Sequence, residues 1–165
     1  MDVLLGDWVL QLRLLAQVAF AALLGGVVGY EREITARPAG LRTHMLLAAS
    51  AALLVALGDL LAERFTGTEG YAELVRVDPI RLIEAVVTAV AFLGAGTIFR
   101  HGGRDIVVGL TTAASMLLVA AVGITVGLGQ YVLAIGAALL ALLVLRAGPL
   151  VEARTATAHR PEKGA

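Results

Sequence analysis

Residues 107–126 read VVGLTTAASMLLVAAVGITV, and after the short turn GLGQ the chain continues as YVLAIGAALLALLVL over residues 131–145. Neither stretch contains an acidic or basic residue, and the first has the roughly 20 residues that a helix needs to cross the hydrocarbon core of a bilayer. Inside hydrocarbon, a helix satisfies all of its backbone hydrogen bonds within one segment. The pair is therefore expected to form two consecutive membrane-spanning helices.

Three further apolar stretches precede this pair and are expected to form the first three spans, at about residues 9–30, 43–61 and 79–99. Together with residues 107–126 and 131–145, they make five segments of near-membrane length. Hydrophobic residues make up 59% of the 165 residues and charged residues 16%, which is more apolar side chain than a soluble domain of this length can bury. The sequence therefore predicts an all-α membrane protein, a bundle of about five transmembrane helices.

The expected transmembrane domain covers residues 1–148, and the polar residues 149–165 are expected to form a disordered cytoplasmic tail. With five spans, nine of the 13 lysine and arginine residues lie on the side of the first connector, the third connector and the C-terminus, and four lie on the other side. The positive-inside rule assigns the side richer in basic residues to the cytoplasm. The N-terminus is then expected outside and the C-terminus in the cytoplasm.

The first helix carries a stripe of small residues, Ala21, Gly25 and Gly29, each four positions after the last. Membrane helices associate through close packing of small residues, because lipid tails are as apolar as leucine and provide no hydrophobic driving force between helices. We expect this stripe to pack within one bundle, and a homo-oligomer interface is the alternative that the sequence leaves open.

Polar residues and glycines gather at residues 31–44, 92–96 and 109–114, which the expected topology brings to the cytoplasmic end. Two interpretations stay open. In the first, glycines allow close backbone approach, and arginines together with the start of the fourth helix bind an anion, or Glu31 or Glu33 holds a cation. In the second, the arginines obey the positive-inside rule and the threonines bond to the preceding helical turn. The candidate cluster shares this membrane face and comprises Glu31, Arg32, Glu33, Arg37, Arg42, Thr43, His44, Gly94, Gly96, Thr111 and Thr112.

If these residues form a functional pocket, a guanidinium of Arg37 or Arg42 is expected in or beside it and not extended into bulk water. Gly94 and Thr111 would line the opposite wall. A first connector more than about one helix diameter, ~10 Å, from those two residues would mean that the pocket does not exist.

Acidic residues dominate the expected outer side, and Mg²⁺ prefers carboxylate ligands and needs only one or two of them. Asp78 and Glu84 are weak candidates as metal ligands, because solvation of an outer connector poor in basic residues, a helix cap at Asp78 and an ion pair between Arg81 and Glu84 explain them better. No ligand motif supports a metal ion, and no other cofactor is expected. The formal net charge of +0 argues against a nucleic-acid partner, and the absence of cysteine and of catalytic motifs such as a P-loop argues against an enzyme.

The polar segments also resemble a known family. The most specific string is RPAGLRTH at residues 37–44. It stands in a series of shorter motifs, ERE at 31–33, DP at 78–79, FLGAG at 92–96 and GLTTAA at 109–114. In order and spacing, from about Leu24 to Leu133, these motifs resemble the MgtC/SapB family of bacterial inner-membrane proteins. The resemblance implies a five-helix bundle in the bacterial inner membrane with its C-terminus in the cytoplasm.

The resemblance further implies a role in adaptation to low magnesium, and in some members survival inside host cells, by modulation of another membrane protein complex. The sequence departs from the family pattern at Ala89 and Ala91, where glycine is usual, at Val108, where a basic residue is usual, and at Glu84, where a small residue is usual. Longer members carry a soluble C-terminal domain that this sequence does not include, so functions that need it are not expected. The alternative function is a transporter or channel for Mg²⁺ or another small ion. The helix interiors disfavour it, because they offer no charged residue beyond Arg13 and Glu84.

Overall fold

The computed structural model describes residues 8–66, 79–100 and 107–158 of the chain. Within these residues the chain forms five α-helices and one two-stranded antiparallel hairpin. In chain order the elements are α1 Trp8–Ile34, α2 Leu41–Thr66, α3 Pro79–Gly96, β1 Phe99–Arg100, β2 Val107–Val108, α4 Leu110–Gly127 and α5 Tyr131–Ala158. The expected all-α bundle of five helices is confirmed.

Four of these helices are long and apolar enough to cross a membrane, namely α1, α2 over Leu41–Glu63, α4, and α5 over Tyr131–Gly148. Helix α3, which like α4 has 18 residues, is not among the four. Large apolar side chains such as Leu23, Phe92 and Leu143 are exposed on the outside of the bundle, where lipid would cover them. The chain is a multi-pass membrane protein, while the side on which each terminus lies and the crossing by α3 stay predictions.

Two helices extend further than expected. α1 continues to Ile34, so residues 31–33 belong to its last turn and not to a connector. α5 continues to Ala158, so the expectation of a disordered tail is wrong for residues 149–158. Alanine, the best helix former, occupies three of the ten positions in that segment, and Leu150, Glu152 and Arg154 are also good helix formers, which explains why the helix outlasts its apolar part. Residues 159–165 lie outside the described part of the chain.

A short hairpin between α3 and α4 replaces the helix ends that the sequence predicts there. Because β1 and β2 pair with each other, α3 already ends at Gly96 and α4 begins only at Leu110. Gly109 joins the hairpin to α4 with a φ of 98°, in the left-handed region that glycine adopts without strain. A Cβ at Gly109 would also collide with the carbonyl of Thr97, so this junction needs glycine.

α1, α2 and α4 all contact one another, and α2 meets both neighbours through small residues. Ala48 and Ala52 of α2 are fully buried. Gly123 of α4 approaches α2 so closely that a Cβ there would collide with the backbone of Ala48, and a Cβ at Gly127 would lie 3.0 Å from the carbonyl oxygen of Ala52. α5 packs against α1 and α4, and α3 packs against α4 and α2. The core is therefore centred on α1, α2 and α4.

The small-residue stripe of α1 faces α2. Ala21, Gly25 and Gly29 are all buried. A Cβ at Gly25 would lie 2.5 Å from the carbonyl oxygen of His44, and a Cβ at Gly29 would lie 2.9 Å from the Cα of Leu41. Both positions thus bring the backbones of α1 and α2 into direct contact, which a larger residue would prevent.

Candidate functional site

Polar side chains are buried at only one place in the part of the bundle that the structure describes. We call them the polar cluster, and its members come from three helices: Glu31 and Arg32 of α1, His44 of α2, and Thr112 and Ser115 of α4. The last turn of α1, the first turns of α2 and the first turns of α4 meet at the same end of the bundle, which the positive-inside rule predicts to be cytoplasmic. This placement groups residues that lie far apart in the sequence.

His44 links α2 to α4. Its side chain is fully buried, with Nδ1 2.9 Å from the carbonyl oxygen of Gly40 and Nε2 3.0 Å from Oγ of Ser115. Because a carbonyl oxygen only accepts, Nδ1 carries a hydrogen. Oγ of Ser115 in turn lies 2.8 Å from the carbonyl oxygen of Thr112. The imidazole is therefore held at both nitrogens, once within α2 and once across to α4.

The hydroxyl of Ser115 can serve this link in two ways. When His44 is neutral, with its hydrogen on Nδ1, the hydroxyl donates to Nε2. When the imidazole is protonated, Nε2 donates to Oγ, and the hydroxyl donates to the carbonyl oxygen of Thr112. Rotation of one hydroxyl thus satisfies both protonation states without moving a helix.

Glu31 and Arg32 form the buried ion pair of the cluster. Nε of Arg32 lies 2.5 Å from Oε2 of Glu31, and the two side chains are only 3% and 5% exposed. The sequence placed both residues in a connector, but the longer α1 carries them into the bundle. A buried pair of this kind is strongly destabilised when one partner is removed, because the other charge stays buried without compensation.

Glu33 organises the connector between α1 and α2. Its Oε2 accepts a hydrogen bond of 3.0 Å from the backbone N–H of Leu41, which satisfies one of the free donors at the start of α2. Gly40 lies directly against this carboxylate, and a Cβ at that position would collide with it. Ala36 turns the chain at the end of α1 with a φ of 52°. The short connector is thereby held in one shape.

The structure does not bring the remaining predicted residues into the cluster. Arg37 and Arg42 are exposed, so the buried arginine at this end is Arg32 and neither of the two that the sequence suggested. Their positions explain this: Arg37 lies in the connector, and the side chain of Arg42 lies at a groove between α2 and α3. Thr43 lines the same groove. Thr111 is exposed beside a groove between α4 and α5.

The two glycines of α3 behave differently from each other. A Cβ at Gly94 would lie 3.2 Å from Cβ of Ala113, so Gly94 allows α3 to approach α4. Gly96 has no such neighbour within 4 Å.

The two candidate metal ligands gain no support: Glu84 is exposed on α3, and Asp78 lies outside the described residues. Within residues 8–66, 79–100 and 107–158, no three histidine, cysteine, aspartate or glutamate side chains come together to hold a metal ion.

Ser115 is the member of the cluster that the sequence reasoning missed. It lies three residues after Thr112 on an otherwise apolar helix, and this spacing puts both hydroxyls on one face. Arg32 follows Gly25 by seven residues and Gly29 by three, so it continues the small-residue stripe. The sequence therefore contains both signals: the spacing of Thr112 and Ser115 on one face of α4, and the place of Arg32 on the packed face of α1.

Four membrane-length helices, three of which contribute to the polar cluster, define the class of the protein as a multi-pass helical membrane protein. Comparison with known proteins narrows this class. The model of the MgtC family matches residues 18–154, and the chain belongs to that family. No solved structure matches this chain.

Three relatives illustrate the family. The chain is 37% identical to YhiD of Escherichia coli K12, named as a candidate magnesium transporter, over 78% of this chain and 57% of the relative. It is 34% identical to SapB of Bacillus subtilis, over 76% and 52%, and 40% identical to MgtC of Brucella abortus, over 69% and 42%. The chain thus spans about half the length of these relatives.

Proposed function

We propose that the chain is a regulatory membrane protein that modulates another membrane protein complex when magnesium is limiting or the cell is under stress. In this proposal the protein lies in the lipid bilayer, and it contacts the regulated complex through the end of the bundle that carries the polar cluster. The kinship with MgtC and SapB supports the proposal at the level of the family.

One observation carries the regulatory interpretation: the polar cluster is closed. Every buried side-chain nitrogen and oxygen atom in the described residues has a hydrogen-bond partner within the protein. Glu31 is neutralised by Arg32, and His44 is held at both ring nitrogens. An ion path needs ligands that are free to exchange partners with the passing ion, and these groups are occupied.

The decisive experiment is a flux assay. The purified chain is reconstituted into liposomes that contain a Mg²⁺-sensitive dye, with protein-free liposomes and ionophore-treated liposomes as controls. We expect no protein-dependent Mg²⁺ entry, while the same chain restores growth in low-magnesium medium to a bacterium that lacks its own family member. A saturable, protein-dependent Mg²⁺ flux would overturn the regulatory proposal.

Transport of a small ion is the second candidate, and one observation favours it. Ionisable side chains buried among membrane helices are typical of ion and proton paths, and Glu31, Arg32 and His44 are such residues. The name of the Escherichia coli relative YhiD points in the same direction. If flux is observed, His44→Gln tests this candidate, because glutamine keeps a polar group at the site but cannot take up a proton. Loss of flux with unchanged expression would support transport.

A further inference from the structure

We infer that the groove between α2 and α3 binds one acyl chain of an anionic phospholipid, whose phosphate is held by Arg42. The groove has a volume of about 400 Å³ and is lined almost wholly by apolar side chains. Leu46, Leu47 and Leu54 of α2 face Val86, Val90 and Leu93 of α3 across it. This inference is independent of whether the protein regulates or transports.

The length of the groove matches one leaflet of a bilayer. From Arg42 to Leu54 the groove follows twelve residues of α2, or about 18 Å, against the ~15 Å that half of a hydrocarbon core measures. At the far end Leu82 of α3 packs directly on Gly58 of α2, so the two helices touch there. The groove is therefore open toward the end that carries the polar cluster and blocked toward the middle of the membrane.

The charge at the open end selects the headgroup. Arg42 is exposed at that end, and no ion pair joins it to an acidic side chain of the described residues, so its charge is not neutralised by a neighbour there. Thr43 adds a hydroxyl beside it. A guanidinium binds phosphate through paired hydrogen bonds, and a lipid whose headgroup also carries a cation such as choline is held less well, because Arg42 repels that cation. An anionic phospholipid matches both features, because its acyl chain fits the apolar groove and its phosphate fits Arg42 at the open end.

The shape of the groove argues against a helix as its occupant. A helix about 10 Å in diameter has a volume on the order of 1,400 Å³ over 18 Å, and a groove of about 400 Å³ would hold only part of it. The small side chains of Ala51 and Ala89 leave room between the two helices for something thinner. An acyl chain has that thickness, and no water is available at this depth to fill an apolar groove.

The test compares lipid retention by the intact protein and four variants in native mass spectrometry, with phosphatidylglycerol and phosphatidylcholine of identical acyl chains. Arg42→Gln should weaken phosphatidylglycerol binding about tenfold, because one charge-assisted contact is lost, and should weaken phosphatidylcholine binding less, because its choline already offsets the charge of its phosphate. Ala89→Phe, which fills the groove, should weaken both lipids. The matched controls are Arg146→Gln, at an exposed arginine of α5, and Ala91→Phe, at an exposed position of α3 that does not line the groove.

Three results would overturn the inference. Equal phosphatidylglycerol retention by the Arg42 and Arg146 variants would show that the lipid is held by charge in general. Unchanged lipid binding in Ala89→Phe together with a changed dimer fraction would assign the groove to a second copy of the chain. Competition by inorganic phosphate at millimolar concentration, with no dependence on acyl chain length, would reduce the site to an anion contact.

Discussion

Replacing Gly25 by alanine should destabilise the bundle, although alanine is the better helix former. The added Cβ would lie 2.5 Å from the carbonyl oxygen of His44 and 2.8 Å from Cβ of Ala48. Ordinary contact begins near 3.4 Å, so α1 and α2 must separate by about 0.9 Å at a point where backbone meets backbone. Overpacking of this kind costs about 1–3 kcal/mol, against a gain in helix propensity of about 0.5–1 kcal/mol. The difference spans about 0–2.5 kcal/mol, and because backbone meets backbone at this point the net loss should lie in its upper half, at about 1–2.5 kcal/mol.

Gly136→Ala is the matched control. Gly136 lies in α5, and a Cβ there would meet no atom within 4 Å, so only the gain in helix propensity applies. The assay is unfolding of both purified variants in the same detergent, followed by helical circular dichroism. Gly136→Ala should be as stable as the unmodified protein or slightly more stable, and Gly25→Ala should be clearly less stable. Equal stability of the two variants would refute the close packing of α1 on α2.

Three further predictions concern orientation and the polar cluster. A cysteine at Gln130 should react with a membrane-impermeant thiol reagent in intact cells and a cysteine at Arg37 should not; labelling at Arg37 would reverse the expected topology. Ser115→Ala should cost about 1–3 kcal/mol in detergent unfolding because it leaves a buried nitrogen of His44 without a partner, and an unchanged stability would contradict that link. Arg32→Met should lower the free energy of unfolding by about 3–5 kcal/mol, because the carboxylate of Glu31 stays buried without its partner. The check is whether stability recovers at a pH low enough to protonate Glu31. Destabilisation that does not respond to pH would assign the loss to packing.

The sequence predicts the number and order of the helices well, because a segment that crosses hydrocarbon must be a long apolar run and little else fits it. It predicts the polar end of the bundle but not the roles of its arginines. Arg37, Arg42 and Arg32 have the same chemistry, and only the exact end of α1 decides which of them is buried. Positive-inside statistics cannot make that distinction, since they count charges on a side of the membrane and not on a face of a helix.

The hairpin between α3 and α4 could not be predicted for a different reason. Strands of two residues carry no periodicity, and Val107 and Val108 continue an apolar run that suits a helix equally well. The hint lay in Gly109, whose left-handed backbone interrupts the helix. At α5 the opposite holds: the polar residues beyond Pro149 suit a disordered tail by composition, but the helix formers among them continue the helix to Ala158.

The tight connector between α1 and α2 has a mechanical consequence for the whole bundle. With Glu33 bonded to the start of α2 and no space for a side chain at Gly40, these two helices have no hinge between them. The bond from His44 to Ser115 fastens α4 to the same unit. Displacements within the bundle are therefore expected to be borne by α3 and α5, which sit outside this rigid triplet. A neighbouring membrane protein that displaces α3 would change the width of the α2–α3 groove and leave the packing of α1, α2 and α4 unchanged.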